Sequence, residues 1–328
     1  MSDLQNAGQL RRAGRYAPSP SGDLHLGNLR TALLAWAYAR AAELRFVVRM
    51  EDLDERSRPQ FEASQLRDLE ALGITWDGSV MRQSERLAHY AEIFEELRRA
   101  GALYECYCTR RELAEVVSAP HRPPGSYPGT CRNLTDEERE NGRVKLAGSG
   151  RGPAYRLRTS TAALAVCDAN YGEYSGVVDD LVICRGDGVF SYNFVSVVDD
   201  AASGVAQIVR GDDLLPSTPR QVYLQRLLGY AVPEYRHVPL VLNERGVRLA
   251  KRDGAVTMER LSAYGWEPAD IVQLLAGSLG YQGVRSAEEF LQVFDPERLA
   301  DPGTAGKRAR SAWRVNVAAL AEGPVSRL

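Results

Sequence analysis

The stretch from Arg15 to Ala42 constrains this chain most, because it reads as a strand, a glycine-bearing turn and a helix in immediate succession. Arg15-Tyr16-Ala17 is short and extended in character, and the Ala/Leu-rich run from Leu29 is helical in composition. Between them lies Pro18-Ser19-Pro20-Ser21-Gly22-Asp23-Leu24-His25-Leu26-Gly27-Asn28. A helix N-terminus presents unpaired N–H groups and the positive end of the macrodipole, and Gly22 and Gly27 let the backbone approach an anion closely. His25 adds a side-chain donor. The turn is therefore expected to hold phosphate through His25, Gly27 and Asn28. Alone, Ser-Gly-x-x-His-x-Gly is a weak pattern. Its complement is Arg248-Leu249-Ala250-Lys251-Arg252, a polar loop that offers Lys251 to phosphoryl charge. Together the two signals point to an ATP site.

The rest of the chain supplies the expected scaffold. Residues 45–50 read as a buried strand, 60–72 and 85–100 as amphipathic helices, and 192–202 as a helix followed by the strand Val205-Ala206-Gln207-Ile208-Val209. Alternation of this kind predicts a parallel α/β sheet. Arg210-Gly211-Asp212-Asp213 then falls at the carboxyl edge, where open α/β sheets bind ligands. Ser217 or Thr218 is the expected cap of a helix running to Leu228. The Pro/Gly-rich segment 119–152 interrupts the alternation, and 154–159 and 181–190 read as strands of a small inserted unit with a turn at Gly186-Asp187-Gly188. After Lys251 the pattern is mostly helical, and the aromatic-basic cluster from Arg308 to Arg314 reads as a helix face with a buried Trp313, contact with RNA phosphate being the alternative.

Charge and cysteine content narrow the function classes. A net charge of −2 gives no global basic field, so contact with nucleic acid has to use a local patch. No apolar run is long enough to span a bilayer, and no apolar leader follows Arg11-Arg12, so a cytoplasmic protein is expected. In that compartment Cys106, Cys108 and Cys131 favour a metal over disulfides, with His121 a chemically suitable further ligand. Cys167 and Cys184 read as buried small hydrophobes.

Five ordered stretches carry a resemblance: Arg15 to Asn28, Val48-Arg49-Met50-Glu51-Asp52-Leu53-Asp54, Ser191-Tyr192-Asn193-Phe194 through Val198-Asp199-Asp200, Val209-Arg210-Gly211-Asp212-Asp213, and Arg248 to Arg252. In that order they resemble the class I aminoacyl-tRNA synthetases of the glutamyl type. The resemblance implies a Rossmann-like α/β catalytic domain in two halves, 1–103 and 191–247. An inserted acceptor-type module with a zinc site would occupy 104–190, and the Lys251 loop with a short, mostly helical segment 248–328. The stretch after Arg252 is shorter than the roughly 100 residues a further domain asks for, so no anticodon-binding domain is expected. The chain is thus similar to the truncated glutamyl-Q branch. That branch activates L-glutamate with ATP in the absence of tRNA and transfers it to queuosine at the wobble position of tRNA(Asp).

By this resemblance, glutamate is held by Arg15, Tyr16, Ala17, Pro18, Ser19, Glu51, Tyr192 and Arg210. The chemistry agrees, since two carboxylates call for guanidinium groups and the ammonium for an anion. For Glu51 an ion pair with Arg49 or Arg56 is the structural alternative. His25, Gly27, Asn28 and Lys251 would hold ATP, with Mg²⁺ carried on its phosphates. Tyr127 matches the fourth zinc ligand of the branch beside Cys106, Cys108 and Cys131. A monomer is expected. Two departures stand out: Asn28 replaces the second His of the first signature, and the Lys loop lacks its first Lys and central Ser. The alternatives are a shortened synthetase charging tRNA(Glu), or a non-catalytic relative that binds glutamate, nucleotide or RNA. Lys251→Ala is expected to lower glutamate-dependent ATP–pyrophosphate exchange about tenfold or more, and an unchanged rate would remove Lys251 from the chemistry.

Overall fold

The run that opens the chain supplies the centre of the sheet. In the computed structural model, which describes residues 12–109, 111–113, 126–148, 150–247, 249, 256–299 and 312–324, β1 (Ala13–Tyr16) leads through the turn into α1 (Leu26–Ala41) and on to β2 (Arg45–Met50). β1 and β2 pair in parallel, from Ala13 opposite Arg45 to Tyr16 opposite Val48. α1 starts three residues earlier than its composition predicts, at Leu26. It is buried around most of its circumference, including Leu29, Leu33, Trp36 and Tyr38, which is why it has no amphipathic stripe. Gly14 lets strand and helix close up, because a Cβ there would lie 2.6 Å from Cβ of Ala39.

α2 (Pro59–Ala71), β3 (Met81–Arg82), α3 (Leu87–Arg99) and β4 (Leu103–Cys106) follow. Then come α4 (Asp136–Ala147), β5 (Ala154–Leu157), β6 (Ala163–Asp168), β7 (Gly172–Val177) and β8 (Val182–Cys184). The α/β pattern resumes with α5 (Tyr192–Ala202), β9 (Val205–Gly211), α6 (Thr218–Leu227), β10 (Glu234–Val238) and β11 (Val241–Asn243). The chain ends in α7 (Met258–Ala263), α8 (Pro268–Ser278), α9 (Ala287–Val293), β12 (Trp313–Val315) and α10 (Val317–Leu320). The main sheet has the order β3-β2-β1-β9-β10-β6-β7. Every neighbouring pair in it is parallel except β6 with β7. β4, β5 and β8 form a separate antiparallel sheet.

Several elements depart from expectation for physical reasons. The hairpin β6–β7, in the stretch expected to form the inserted unit, joins the main sheet where Asp168 meets Tyr235. Its outward face is exposed, and Cys167 with it, so Cys167 is not a core residue, whereas Cys184 is buried. α4 buries none of its residues, so it gives no apolar periodicity, and a capping box between Thr135 and Glu138 starts it instead. Neither Ser217 nor Thr218 caps α6 through its side chain. Trp313 lies in a strand paired with β11 and not on a helix face. Among the described residues no helix is long and apolar enough to cross a membrane.

Candidate active site

The carboxyl ends of β1, β2 and β9 open into one cavity of about 580 Å³. Its wall includes Arg15 and Tyr16 at the end of β1, Ala17 to Ser19 after it, Glu51 after β2, Arg210 and Gly211 at the end of β9, and Tyr192 at the start of α5. His25, Gly27 and Asn28 complete it from the N-terminus of α1. Eleven residues expected to bind glutamate or ATP thus meet in a single space, at the sheet edge where strand order favours ligand binding. Lys251, Arg248, Ala250 and Arg252 lie outside the described residues. Leu249 does line the cavity, and Val256 and Thr257 meet the first signature, Val256 O accepting Leu26 N–H at 3.0 Å and Thr257 bridging His25.

The turn before α1 differs from a bare phosphate loop. His25 is the N-cap, and its Nδ1 accepts N–H of Gly27 at 3.1 Å and of Asn28 at 3.3 Å. In return Asn28 Oδ1 accepts the His25 N–H at 3.3 Å. Leu29 N–H goes to His25 O. The first-turn donors expected to face phosphate are therefore engaged within the protein. Accepting at Nδ1 places the proton of the neutral ring on Nε2, which keeps His25 a side-chain donor. Asn28, the departure from the family signature, serves as the reciprocal half of the cap. Gly27 is required for a second reason, since a Cβ there would stand 2.9 Å from His25 Cε1.

α2 holds the same turn from the other side. Gln65, on α2 and buried, donates Nε2–H to Ser19 O at 3.0 Å and Gly22 O at 2.7 Å, while Ser64 Oγ donates to Asp23 Oδ1 at 2.7 Å. Neither residue stands out in the sequence, because α2 reads simply as an amphipathic helix.

The charged groups are fixed by α5, where Ser196, Asp199 and Asp200 share one stripe. Asp200 accepts from Arg49 Nη1 at 2.6 Å and lies 3.4 Å from Arg15 Nε. Burial alone would raise the Asp200 carboxyl, but Arg49 and Arg15 hold it below the usual range. Glu51 Oε1 accepts from Arg49 Nη2 and from Ser196 Oγ, both at 3.1 Å, so Glu51 both lines the cavity and makes the structural ion pair. Arg56 pairs with Asp54 instead. Arg210 is gripped by His237 Nε2, Gln221 Oε1 and Thr218 Oγ1 at 3.0, 2.7 and 2.9 Å. Thr218 is thus occupied in orienting the arginine. These partners were invisible to sequence reasoning because they come from two other elements, α6 and β10.

A second cluster lies in the β4–β5–β8 region. The ligand atoms of Cys106, Cys108 and Cys131 all fall within 4.8 Å of one another. Tyr127 Oη is 3.4 Å from Cys106 Sγ and 3.9 Å from Cys108 Sγ. Arg156 Nε–H donates to Cys106 Sγ at 3.3 Å and favours its thiolate, and Tyr107 N–H donates to Cys131 Sγ at 3.4 Å. Three sulfurs and a phenol oxygen around one point fit a tetrahedral metal. His121 lies outside the described residues.

Comparison with known proteins agrees with this geometry. Residues 13–311 match the family "tRNA synthetases class I (E and Q), catalytic domain". A protein of Nocardia farcinica named glutamyl-Q tRNA(Asp) synthetase is 56% identical over 91% of this chain and 94% of its own length. Proteins of the same name from Symbiobacterium thermophilum and Cutibacterium acnes are 44% and 45% identical, each over 87% of this chain and over 93% and 81% of their own lengths. A crystal structure of a glutamate tRNA ligase from Elizabethkingia meningosepticum superposes with a TM-score of 0.74 at 24% identity, over 94% of this chain and 68% of that one, and so shares the fold.

The cap makes a measurable claim. His25→Ala is expected to lower the unfolding free energy by about 1 kcal/mol, and His25→Asn, which restores a good cap, by only a few tenths. Equal losses in urea unfolding would show that the ring does not cap α1.

Proposed function

The chain belongs to the class I tRNA synthetases of the E and Q type, and from that premise we propose that it activates L-glutamate with ATP and passes the glutamyl group to queuosine at the wobble position of tRNA(Asp). Activation does not need the tRNA in this reading. The observation that carries it is the single cavity in which Arg15, Arg210, Glu51, Tyr192 and His25 meet. Relatives carrying the glutamyl-Q name over nearly their full length support the choice of acceptor.

Glutamate carries two carboxylates and an ammonium. Arg15 and Arg210 take carboxylate charge, Glu51 takes the ammonium, Tyr192 supplies a hydroxyl, and the backbone from Tyr16 to Ser19 positions the chain of the substrate. The α-carboxylate then attacks the α-phosphorus of ATP and pyrophosphate leaves. Positioning and neutralisation are the protein's part in this step. His25 Nε2–H meets phosphate oxygen beside Gly27 and Asn28, and Lys251, which follows Leu249 by two residues in the sequence, supplies the second cation for phosphoryl charge. Mg²⁺ accompanies ATP on its phosphates. Cys106, Cys108, Cys131 and Tyr127 hold one structural zinc, which ties the small sheet to the loop carrying Cys131 and takes no part in the chemistry. The protein acts as a cytoplasmic monomer.

Labelled glutamate should enter tRNA(Asp) that carries queuosine and fail to enter tRNA(Asp) lacking it or tRNA(Glu). Label in tRNA(Glu) would identify a shortened synthetase of the ordinary kind, and absence of glutamate-dependent exchange would identify a binding protein. Metal analysis of freshly purified protein is expected to find about one zinc per chain; a content far below that would remove the metal from the account.

A further inference from the structure

Arg210 differs from its neighbours in the company it keeps. Arg49 is held by carboxylates alone, Asp200, Glu51 and Asp199. Arg15 stands 3.4 Å from Asp200. Arg210 is also buried, yet its hydrogen-bond acceptors are His237 Nε2, Gln221 Oε1, Thr218 Oγ1 and Leu214 O, every one of them uncharged when the imidazole is neutral. Nη1 carries two hydrogens, and Gln221 receives one of them.

The hydrogen-bonded link from Arg210 to a carboxylate runs through the imidazole, while Asp200 feels the Arg210 charge without a hydrogen bond to it. His237 is fully buried on β10, and its Nδ1 lies 2.6 Å from Asp168 Oδ2. Asp168 ends β6 and is itself locked by backbone N–H groups of Asn170 at 3.0 Å, Tyr171 at 2.9 Å and His237 at 3.1 Å. A guanidinium can only donate, so Nε2 of His237 must be the acceptor and the proton of the neutral ring must sit on Nδ1, facing Asp168. Burial, reinforced by the Arg210 charge, outweighs the pull of Asp168 and keeps this histidine's pKa below its ordinary value. The chain Asp168–His237–Arg210 therefore transmits orientation without placing a carboxylate against the arginine. A direct ion pair would cancel the charge that an anionic ligand needs, and Coulomb attraction weakens with the added distance.

The geometry points to His237 as a positioning residue that fixes Arg210 from behind and leaves it with no carboxylate among its hydrogen-bond partners, ready for a carboxylate of the amino-acid substrate. This rests on the reading of the cavity as the glutamate site. It also gives the β6–β7 hairpin a part in the site, since that hairpin brings Asp168.

Exchange kinetics and ring spectroscopy test it separately. His237→Leu is expected to raise KM for glutamate about tenfold while KM for ATP stays within about twofold. His237→Gln, whose Oε1 is again a neutral acceptor, should recover most of that loss. A parallel rise in both KM values, or no recovery with Gln, overturns the proposal. In the unmodified full-length protein, nitrogen NMR of the imidazole at about pH 7 should show Nδ1 protonated and Nε2 bare. An Nε2–H tautomer or an imidazolium would overturn it without reference to activity. If the unmodified protein gave no glutamate-dependent exchange, the functional reading would fall and the ring tautomer would still decide the relay.

Discussion

Two adjacent carboxylates on α5, Asp199 and Asp200, hold this site together. Both are buried, and between them they engage Arg15 on β1, Arg49 on β2 and Arg86 ahead of α3. Asp199 also accepts from Gln83 Nε2 at 3.0 Å and Tyr90 Oη at 2.7 Å. Leaving one partner of such a buried pair alone costs about 3–5 kcal/mol, so the groups stand or fall as a set. Burial by itself would lower the Arg49 pKa, but Asp200, Glu51 and Asp199 more than reverse it, and the guanidinium stays charged. That fixed cation in turn orients Glu51 at the cavity wall.

The cavity wall and the groups directly behind it thus combine cations in two states. Arg15 and Arg49 belong to a network in which carboxylates offset them, and Arg210 is held by neutral acceptors. An amino acid with two carboxylates and one ammonium fits such a balance, because it needs more positive than negative partners. On the other side of the cavity, α1 offers its dipole and the His25 ring more than bare N–H groups, since its first turn is closed by its own cap and by Val256 O. Asn28, at the place of the second signature histidine, completes that cap.

Much of this was legible in the sequence where one element carried the signal. β2 and α5 stand at the residues the pattern marked, and the cavity collects His25, Arg15, Glu51, Tyr192 and Arg210 as expected. Supporting groups were not legible, because a hydrogen bond between Arg210 and His237 or between Gln65 and Ser19 leaves no trace in local periodicity. The hairpin β6–β7 was missed for a related reason: one face is exposed, and its place in the sheet rests on a single bridge to Tyr235. α4 was missed because none of its residues is fully buried. The unpaired donors expected at Gly27 and Asn28 fell to a local competitor, the His25 ring, whose folding back over Gly27 is visible only in three dimensions.

The central claim is that one charge-matched cavity receives both substrates side by side. Difference density from crystals grown with L-glutamate and a non-hydrolysable ATP analogue tests it most directly. The amino acid is expected between Arg15, Arg210, Glu51 and Tyr192, with its α-carboxylate facing an α-phosphate whose neighbouring phosphates meet His25. Either molecule bound away from that cavity, or glutamate lying in it with no carboxylate near Arg15 or Arg210, would contradict it.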